Sequence, residues 1–366
     1  METAAKLPGD ASGAIDAIGR MRVLRLDLPL DATTFDSILA ADPSIAFAVQ
    51  PARGDDGAAW QALSAAHIYH VSSARDDMPR QWFVSRAMLA RCPSLLAVSS
   101  YGAGYDTVDV DACTQAGVCV VNQAGSNAGA VAEHTLGLIL GLSKRIGESD
   151  RRLRRGERFT RQDAIGFDLQ GRILGLVGIG HAGRRVAELA RAFGMQVIAN
   201  DPFVEPQEIA RRGAQSVSLP DLLRRADVVS LHCPLDDSTA GLMGADAFAA
   251  MKPGALFVTT ARGGIHDETA LFQALVDGHL GGAGLDVWAV EPPVPDHPLL
   301  GLDKVLATNH TAGVTHDSRR QMATMAAHQI LDVARGARPA RLVNPEVWPV
   351  YVRRFERLLA RAIIAA

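Results

Sequence analysis

The sequence is short of the features that mark several large classes of protein. It has 4 cysteines among 366 residues. Cys92, Cys113, Cys119 and Cys233 show neither metal-ligand spacing nor a disulfide framework. That usage suits a reducing compartment, so a cytoplasmic location is expected. No charge of one sign is in excess: 37 basic against 40 acidic side chains gives −3. Such a balance argues against a surface built to grip nucleic acid or an anionic membrane. The longest apolar stretches, such as Leu136 to Leu142, fall well short of the ~20 residues that a membrane span needs. Met1 to Arg20 is rich in Ala, Gly and Asp, without the apolar core of a secretory signal, and reads as a loose leader. The scattered histidines His67, His134, His279, His297, His316 and His328 share no metal spacing, so no metal is expected.

What is present is core material: hydrophobic residues make up 48% of the chain and charged residues 21%. General disorder is thereby excluded, and at about 150 residues per domain the length suggests two domains. From Met21 onward short apolar runs alternate with helical stretches, the pattern of a parallel α/β architecture. Strands are expected at Arg22–Asp27, Ile45–Val49, His67–His70, Leu95–Ser99 and Val118–Asn122, enough for a small doubly wound domain. A turn-prone stretch, Asn122 to Asn127, precedes a long apolar helix near Val131 to Lys144. The Arg-rich segment Arg151 to Arg155 follows, and given the neutral whole it reads as a solvated or subunit-contacting surface.

Six further strands are expected at Ile173–Val177, Gln196–Asn200, Val228–His232, Ala255–Thr260, Gly284–Val287 and Val305–Thr308. Between them lie helical stretches at Gly183–Phe193, Leu222–Arg225 and Glu268–Val276, the last behind an Asp267 cap. Six strands in this order suit a dinucleotide-binding sheet. A final helix, near Asp317 to Arg335, could return to the first domain.

Chemistry concentrates at the strand ends. Gly178-Ile-Gly180-His-Ala-Gly183 follows the apolar run Ile173–Val177 and opens a helix. Such spacing alone means only a tight turn. In this context the glycines permit the turn, let backbone approach a pyrophosphate, and bring helix against sheet. The helix N-terminus adds unpaired N–H groups and partial positive charge. Asp201, 18 residues beyond Gly183, can accept both hydroxyls of a ribose and would repel a 2′-phosphate. NAD is therefore the expected cofactor, with another Rossmann ligand such as S-adenosylmethionine as the rival. Ligands of an open α/β sheet sit beyond the carboxyl ends of its strands. Those ends carry His232-Cys-Pro234, then Arg262, then Asp286 with Glu291, then His310. Arginine grips a carboxylate bidentately. Histidine can give a proton to a carbonyl oxygen, and a carboxylate raises that histidine's pKa. Asp286 is left free to hold the amide of a nicotinamide. The set is complete for reduction of a 2-oxo acid.

From Met21 to about Asn344 the chain resembles the D-isomer-specific 2-hydroxyacid dehydrogenases. The resemblance is carried by Gly102-Ala-Gly104-Tyr-Asp-Thr-Val-Asp109, Ala130-Val-Ala-Glu-His134, the Gly178–Gly183 loop, His232-Cys-Pro-Leu235, Met251-Lys-Pro-Gly254, Ala261-Arg-Gly263, Leu285-Asp-Val287, Glu291-Pro292 and His310. It implies two doubly wound parallel-sheet domains, with a Rossmann NAD-binding domain inserted in a flavodoxin-like substrate domain. On that basis residues 1–20 are a leader, 21–125 and 311–345 the substrate domain, 126–310 the NAD-binding domain, and 346–366 a tail. It implies a catalytic trio of Arg262, Glu291 and His310, with backbone N–H groups near Ala103 and Gly104 sharing the substrate carboxylate with Arg262. NAD contacts would fall on Gly178, Gly180, His181, Ala182, Gly183, Asp201, Cys233, Pro234, Thr260, Ala261, Asp286 and His310. A homodimer is implied, with the helix near Val131–Lys144 and the arm after it at the interface.

Three positions depart from the family pattern. Asn309 stands where a proline commonly precedes the histidine, leaving that loop less constrained. Ala124 replaces a frequent proline, and His266, where an aliphatic residue is usual, reads as a loop residue. Tyr101 and Trp288 are candidates to shape the pocket. The expected substrate is a small 2-oxo or 2-hydroxy acid, of unspecified side chain. D-3-phosphoglycerate dehydrogenase is the first alternative, although Tyr69-His-Val-Ser-Ser73, where the family places a substrate-contacting loop, holds no arginine for a phosphate. Formate dehydrogenase fits less well, because that branch carries glutamine where Glu291 stands. A corepressor that senses dinucleotide on the same fold is a reading from another class.

Overall fold

The computed structural model describes residues 20–359 apart from 29, 55 and 76. The expected leader, except for Arg20, lies outside the described residues. The described chain forms two compact units, one running to Gln123 and resuming at Ala323, the other spanning Ala124–Met322.

The first unit holds strands β1 (Met21–Asp27), β2 (Ile45–Pro51), β3 (Ile68–Ser72), β4 (Ala97–Tyr101) and β5 (Cys119–Val121). They form one parallel sheet in the order β2-β1-β3-β4-β5, a flavodoxin-like arrangement. Their runs of Val, Ile and Leu are buried because helices cover both faces of a parallel sheet. One layer packs Trp82, Tyr69, Leu63 and Met88 together. The other unites Phe35, Leu39 and Ile68 with Ala323, Ala327 and Ile330 from the later part of helix His316–Ala334. The segment expected as a tail, 346–366, is over its described part a short 3-10 turn at Pro345–Val347 and a helix at Trp348–Leu359. Tyr351, Phe355 and Leu359 recur every four residues on one face of that helix and are buried in the same core.

The second unit holds β6 (Ile173–Val177), β7 (Gln196–Asn200), β8 (Gln215–Ser216), β9 (Val228–Leu231), β10 (Leu256–Thr259), β11 (Gly282–Leu285) and β12 (Val305–Ala307). All are parallel, in the order β12-β11-β10-β9-β6-β7-β8. The sheet has seven strands rather than the six expected. The extra one, β8, is two polar residues at the edge, too short to leave an apolar signature. Strand order reverses between β6 and β9, the switch point at which such sheets bind ligands. Helices occupy Ala128–Ser143, His181–Ala192, Leu219–Arg225 and Glu268–Val276. Asp267 caps the last of these, its Oδ1 accepting from the N–H groups of Thr269 and Ala270.

Candidate active site

The glycine loop leaves β6 at the switch point. Gly178 has φ +91°, and a Cβ there would stand 2.8 Å from the backbone N of Cys233. Only glycine fits between the ends of β6 and β9. A Cβ on Gly183 would come within 2.4 Å of the Gly178 carbonyl oxygen, so the helix His181–Ala192 closes directly on the loop. Gly180 is the N-cap of that helix and offers no side-chain cap to its first N–H groups, while the space its Cβ would occupy is open. His181 is exposed and Ala182 half-buried at the mouth of this cradle. The arrangement fits a pyrophosphate.

Asp201 ends up beside the cradle, at the close of β7. Its Oδ2 accepts from the N–H of Ile179 at 2.9 Å and its Oδ1 from the N–H of Phe203 at 3.1 Å. The carboxylate is thereby fixed against the glycine loop with lone pairs left for further donors. Across the switch point, burial pushes the half-buried Cys233 thiol up to about 11. Pro234 is exposed. Thr260 is buried with its hydroxyl 3.2 Å from that of Thr135, and Ala261 is buried beside it.

The ends of β10, β11 and β12 bring the titratable groups together. His310 Nδ1 and Glu291 Oε2 are 2.7 Å apart. The imidazole side chain is 43% exposed. The Glu291 hydrogen bond raises the His310 pKa, working against desolvation and the positive charge of Arg262. For Glu291 burial pushes upward, but the His310 hydrogen bond and charge, the Trp288 N–H and Arg262 together hold it below its ordinary value. Arg262 is half-buried and donates from Nη1 to the Ala261 carbonyl at 2.7 Å.

Asp286 is fully buried, and its carboxylate accepts from the loop that presents His310. Oδ1 accepts from the Thr308 hydroxyl at 2.5 Å and the Thr311 N–H at 2.8 Å, and Oδ2 accepts from the Ala312 N–H at 3.0 Å. A buried carboxylate must find such donors, and this loop supplies them. Since Thr308 gives its only hydroxyl proton to Asp286, it accepts from His134 Nε2, 3.0 Å away. The loop without a proline before His310 is therefore held by hydrogen bonds, and His310 itself sits at φ +51°. Such a conformation costs a non-glycine residue energy and persists only where surroundings enforce it. His134 and Thr308 carry no sequence signal for this role.

One expectation changes. Trp288 is 3% exposed and belongs to the core, so it does not line a pocket. His266 lies in the loop before helix Glu268–Val276 and is buried there, with both ring nitrogens lacking a hydrogen-bond partner.

In the first unit, Gly102 follows β4 at φ +101°. The carbonyls of the Gly102–Gly104 loop are all engaged: Gly102 O accepts from the Gln123 N–H at 2.7 Å, Ala103 O from Asn122 Nδ2 at 2.7 Å, and Gly104 O from the Ser100 hydroxyl at 2.9 Å.

Comparison with known proteins agrees with this geometry. The family model for the D-isomer specific 2-hydroxyacid dehydrogenase, NAD binding domain, matches residues 136–312. The chain is 45% identical over 240 residues to an (S)-sulfolactate dehydrogenase of Chromohalobacter salexigens, covering 65% of this chain and 77% of that one. It is 36% identical over 267 residues to a D-3-phosphoglycerate dehydrogenase of Archaeoglobus fulgidus, covering 73% of this chain but only 50% of the relative. A crystal structure of D-lactate dehydrogenase from Aquifex aeolicus, complexed with NAD and lactic acid, superposes with a TM-score of 0.75 at 25% identity, over 88% of this chain and 98% of that one. The chain belongs to the D-isomer specific 2-hydroxyacid dehydrogenases, a family of NAD-dependent oxidoreductases.

Proposed function

We propose that this chain interconverts a small 2-oxo acid and the corresponding D-2-hydroxy acid, with Arg262, Glu291 and His310 as its catalytic residues. The observation that carries the reading is the 2.7 Å contact between His310 Nδ1 and Glu291 Oε2, beside Arg262 and beyond the same sheet edge as the glycine cradle. Glu291 takes the Nδ1–H, which leaves Nε2 to carry the proton that moves. Arg262 grips the substrate carboxylate, helped by the N–H groups of Ala103 and Gly104, whose loop carbonyls are already engaged. His310, kept protonated by Glu291, gives its Nε2 proton to the carbonyl oxygen in reduction and takes it back in oxidation. NADH supplies the hydride when bound, held at Gly178, Gly180, His181, Ala182 and Gly183, with Asp201 on the ribose and Cys233, Pro234, Thr260 and Ala261 along the nicotinamide half.

The chain is read as a cytoplasmic homodimer. All four cysteines are free thiols, and among the described residues no helix is long and apolar enough to cross a membrane. Ile146, Leu153 and Ile165 are exposed on the arm that follows helix Ala128–Ser143, large apolar side chains that a second copy could cover. Light scattering tests the oligomer.

The test of the activity is turnover with NADH and NADPH over glyoxylate, hydroxypyruvate, pyruvate, phenylpyruvate and 3-sulfopyruvate, with 3-phosphoglycerate in the oxidative direction. Reduction of at least one 2-oxo acid, with NADH preferred, is expected. No turnover across the panel, with dinucleotide still bound, would favour the sensor reading instead.

A further inference from the structure

Trp288 donates one N–H group to Glu291 and the other to the loop that leads to His310. Its backbone N–H donates to Glu291 Oε1 at 3.0 Å. Its indole Nε1–H donates to the Thr308 carbonyl at 2.9 Å, two residues before His310. Glu291 in turn reaches His310 with its other oxygen, Oε2. Three hydrogen bonds and the main chain from Thr308 to His310 close a ring through Trp288, Glu291 and His310.

Trp288 is itself held on several sides. A Cβ on Gly263 would stand 1.8 Å from the Trp288 carbonyl oxygen, so the turn packs backbone to backbone against the residue after Arg262. The next N–H, that of Ala289, donates to Glu268 Oε1 at 2.7 Å. Glu268 Oε2 is 3.1 Å from His297 Nε2, and the His297 ring stands edge-on to the indole at 5.3 Å. His297 Nδ1 accepts from the Leu299 N–H, which leaves the ring proton on Nε2 facing Glu268.

We propose that Trp288 is a positioning residue that sets Glu291 and His310 in one register, acting through the indole N–H and not only through the bulk of its ring. Packing alone would be served by any large aromatic side chain, whereas tryptophan brings a donor that must find an acceptor when buried. The acceptor it finds is in the loop where His310 is held at a φ that needs enforcement. This inference rests on reading His310 as the acid–base residue.

Trp288→Phe tests it, because it keeps an aromatic ring and removes the donor. The charged groups bearing on the imidazole are Glu291, Arg262 and Asp286, and all three remain. In protein labelled with ¹⁵N-histidine, the His310 titration followed by NMR should shift to lower pH in the variant, toward the ordinary histidine range. NADH affinity should be unchanged, and kcat for 2-oxo acid reduction should fall about five- to tenfold with a smaller change in KM, in keeping with one lost hydrogen bond. A lower melting temperature with the His310 titration unmoved would make Trp288 a packing residue and overturn the proposal. Should the variant not fold, hydrogen exchange in the wild type decides. The Trp288 indole N–H should exchange together with the Thr311 and Ala312 amides, as one opening unit. Independent exchange would overturn the coupling. A wild type that turns over no 2-oxo acid would sink the dehydrogenase reading, while the NMR titration would still judge the link between Trp288 and His310.

Discussion

The two units share an architecture and differ in what they hang on it. Both are parallel sheets with helices on their faces, and both place their chemistry just beyond the carboxyl ends of strands. Beyond β4 the first unit offers a Gly102–Gly104 loop whose carbonyls are tied up by Gln123, Asn122 and Ser100. Beyond β10 to β12 the second unit offers Arg262, Glu291 and His310, backed by the buried Asp286. Backbone N–H groups can bind an anion but are far too weakly acidic to serve as a general acid at neutral pH. On the proposed reading the proton is moved by the second unit, through His310 and Glu291.

The sharpest way to break that contrast is His310→Ala. If proton transfer resides in the second unit, kcat should fall about 10²–10⁴-fold, the usual share of a general acid, with NADH binding retained by fluorescence titration. Near-normal kcat would move the acid elsewhere and dissolve the comparison. Arg262→Ala comes next. Without the guanidinium the charge-assisted grip on the carboxylate is gone, so KM should rise and kcat/KM should drop roughly 10²-fold, about 3 kcal/mol for a charge-assisted pair. A loss of only a few-fold would mean that the carboxylate is held elsewhere and that Arg262 is a structural residue.

Glu291→Gln probes the electrostatics with a smaller effect. The His310 pKa is raised, chiefly by the Glu291 hydrogen bond. Removing the anion lowers it, so the fall in reductive activity with rising pH should begin at lower pH. Oxidation, which needs neutral imidazole, should gain over the same range. An unmoved profile, with an isotope effect showing hydride transfer to be rate-limiting, would rule out the pair.

The smallest effect belongs to His266, a histidine of the same unit given no chemistry. Desolvation lowers its pKa, so the folded state resists protonation that the unfolded chain accepts near pH 6.5. Stability from this residue is present above that pH and is lost as pH falls below it. His266→Leu removes two unpaired buried nitrogens and should stabilise by about 1–2 kcal/mol, with the advantage growing from pH 7 to pH 5. Melting temperatures that differ by a constant amount over that range would show that His266 does not titrate on unfolding.

Much of this was legible residue by residue. The apolar runs Ile173–Val177 and Val228–Leu231 are strands by length and composition, and Asp267 announces the helix Glu268–Val276 by its capping chemistry. The glycines of 178–183 sit where steric necessity puts them. Gln215–Ser216 escaped because two polar residues carry no period. Tyr351, Phe355 and Leu359 escaped because a stripe near a chain end says nothing of which core it joins. At the candidate site, the order of Arg262, Glu291 and His310 along successive strand ends was enough to group them.

What the sequence by itself determined was therefore the class of fold, the glycine cradle and the identity of the charged groups at one sheet edge. These follow from local periodicity, from backbone sterics and from the rule that strand ends carry ligands. Only the tertiary structure decided what those groups lean on. Asp286 anchors the His310 loop, and Trp288 bridges Glu291 and Thr308. The reason is physical. A buried polar group must be paired, but which partner it meets depends on loops brought together across some twenty residues of chain, and hydrogen bonds are too short and too directional to be read from a spacing.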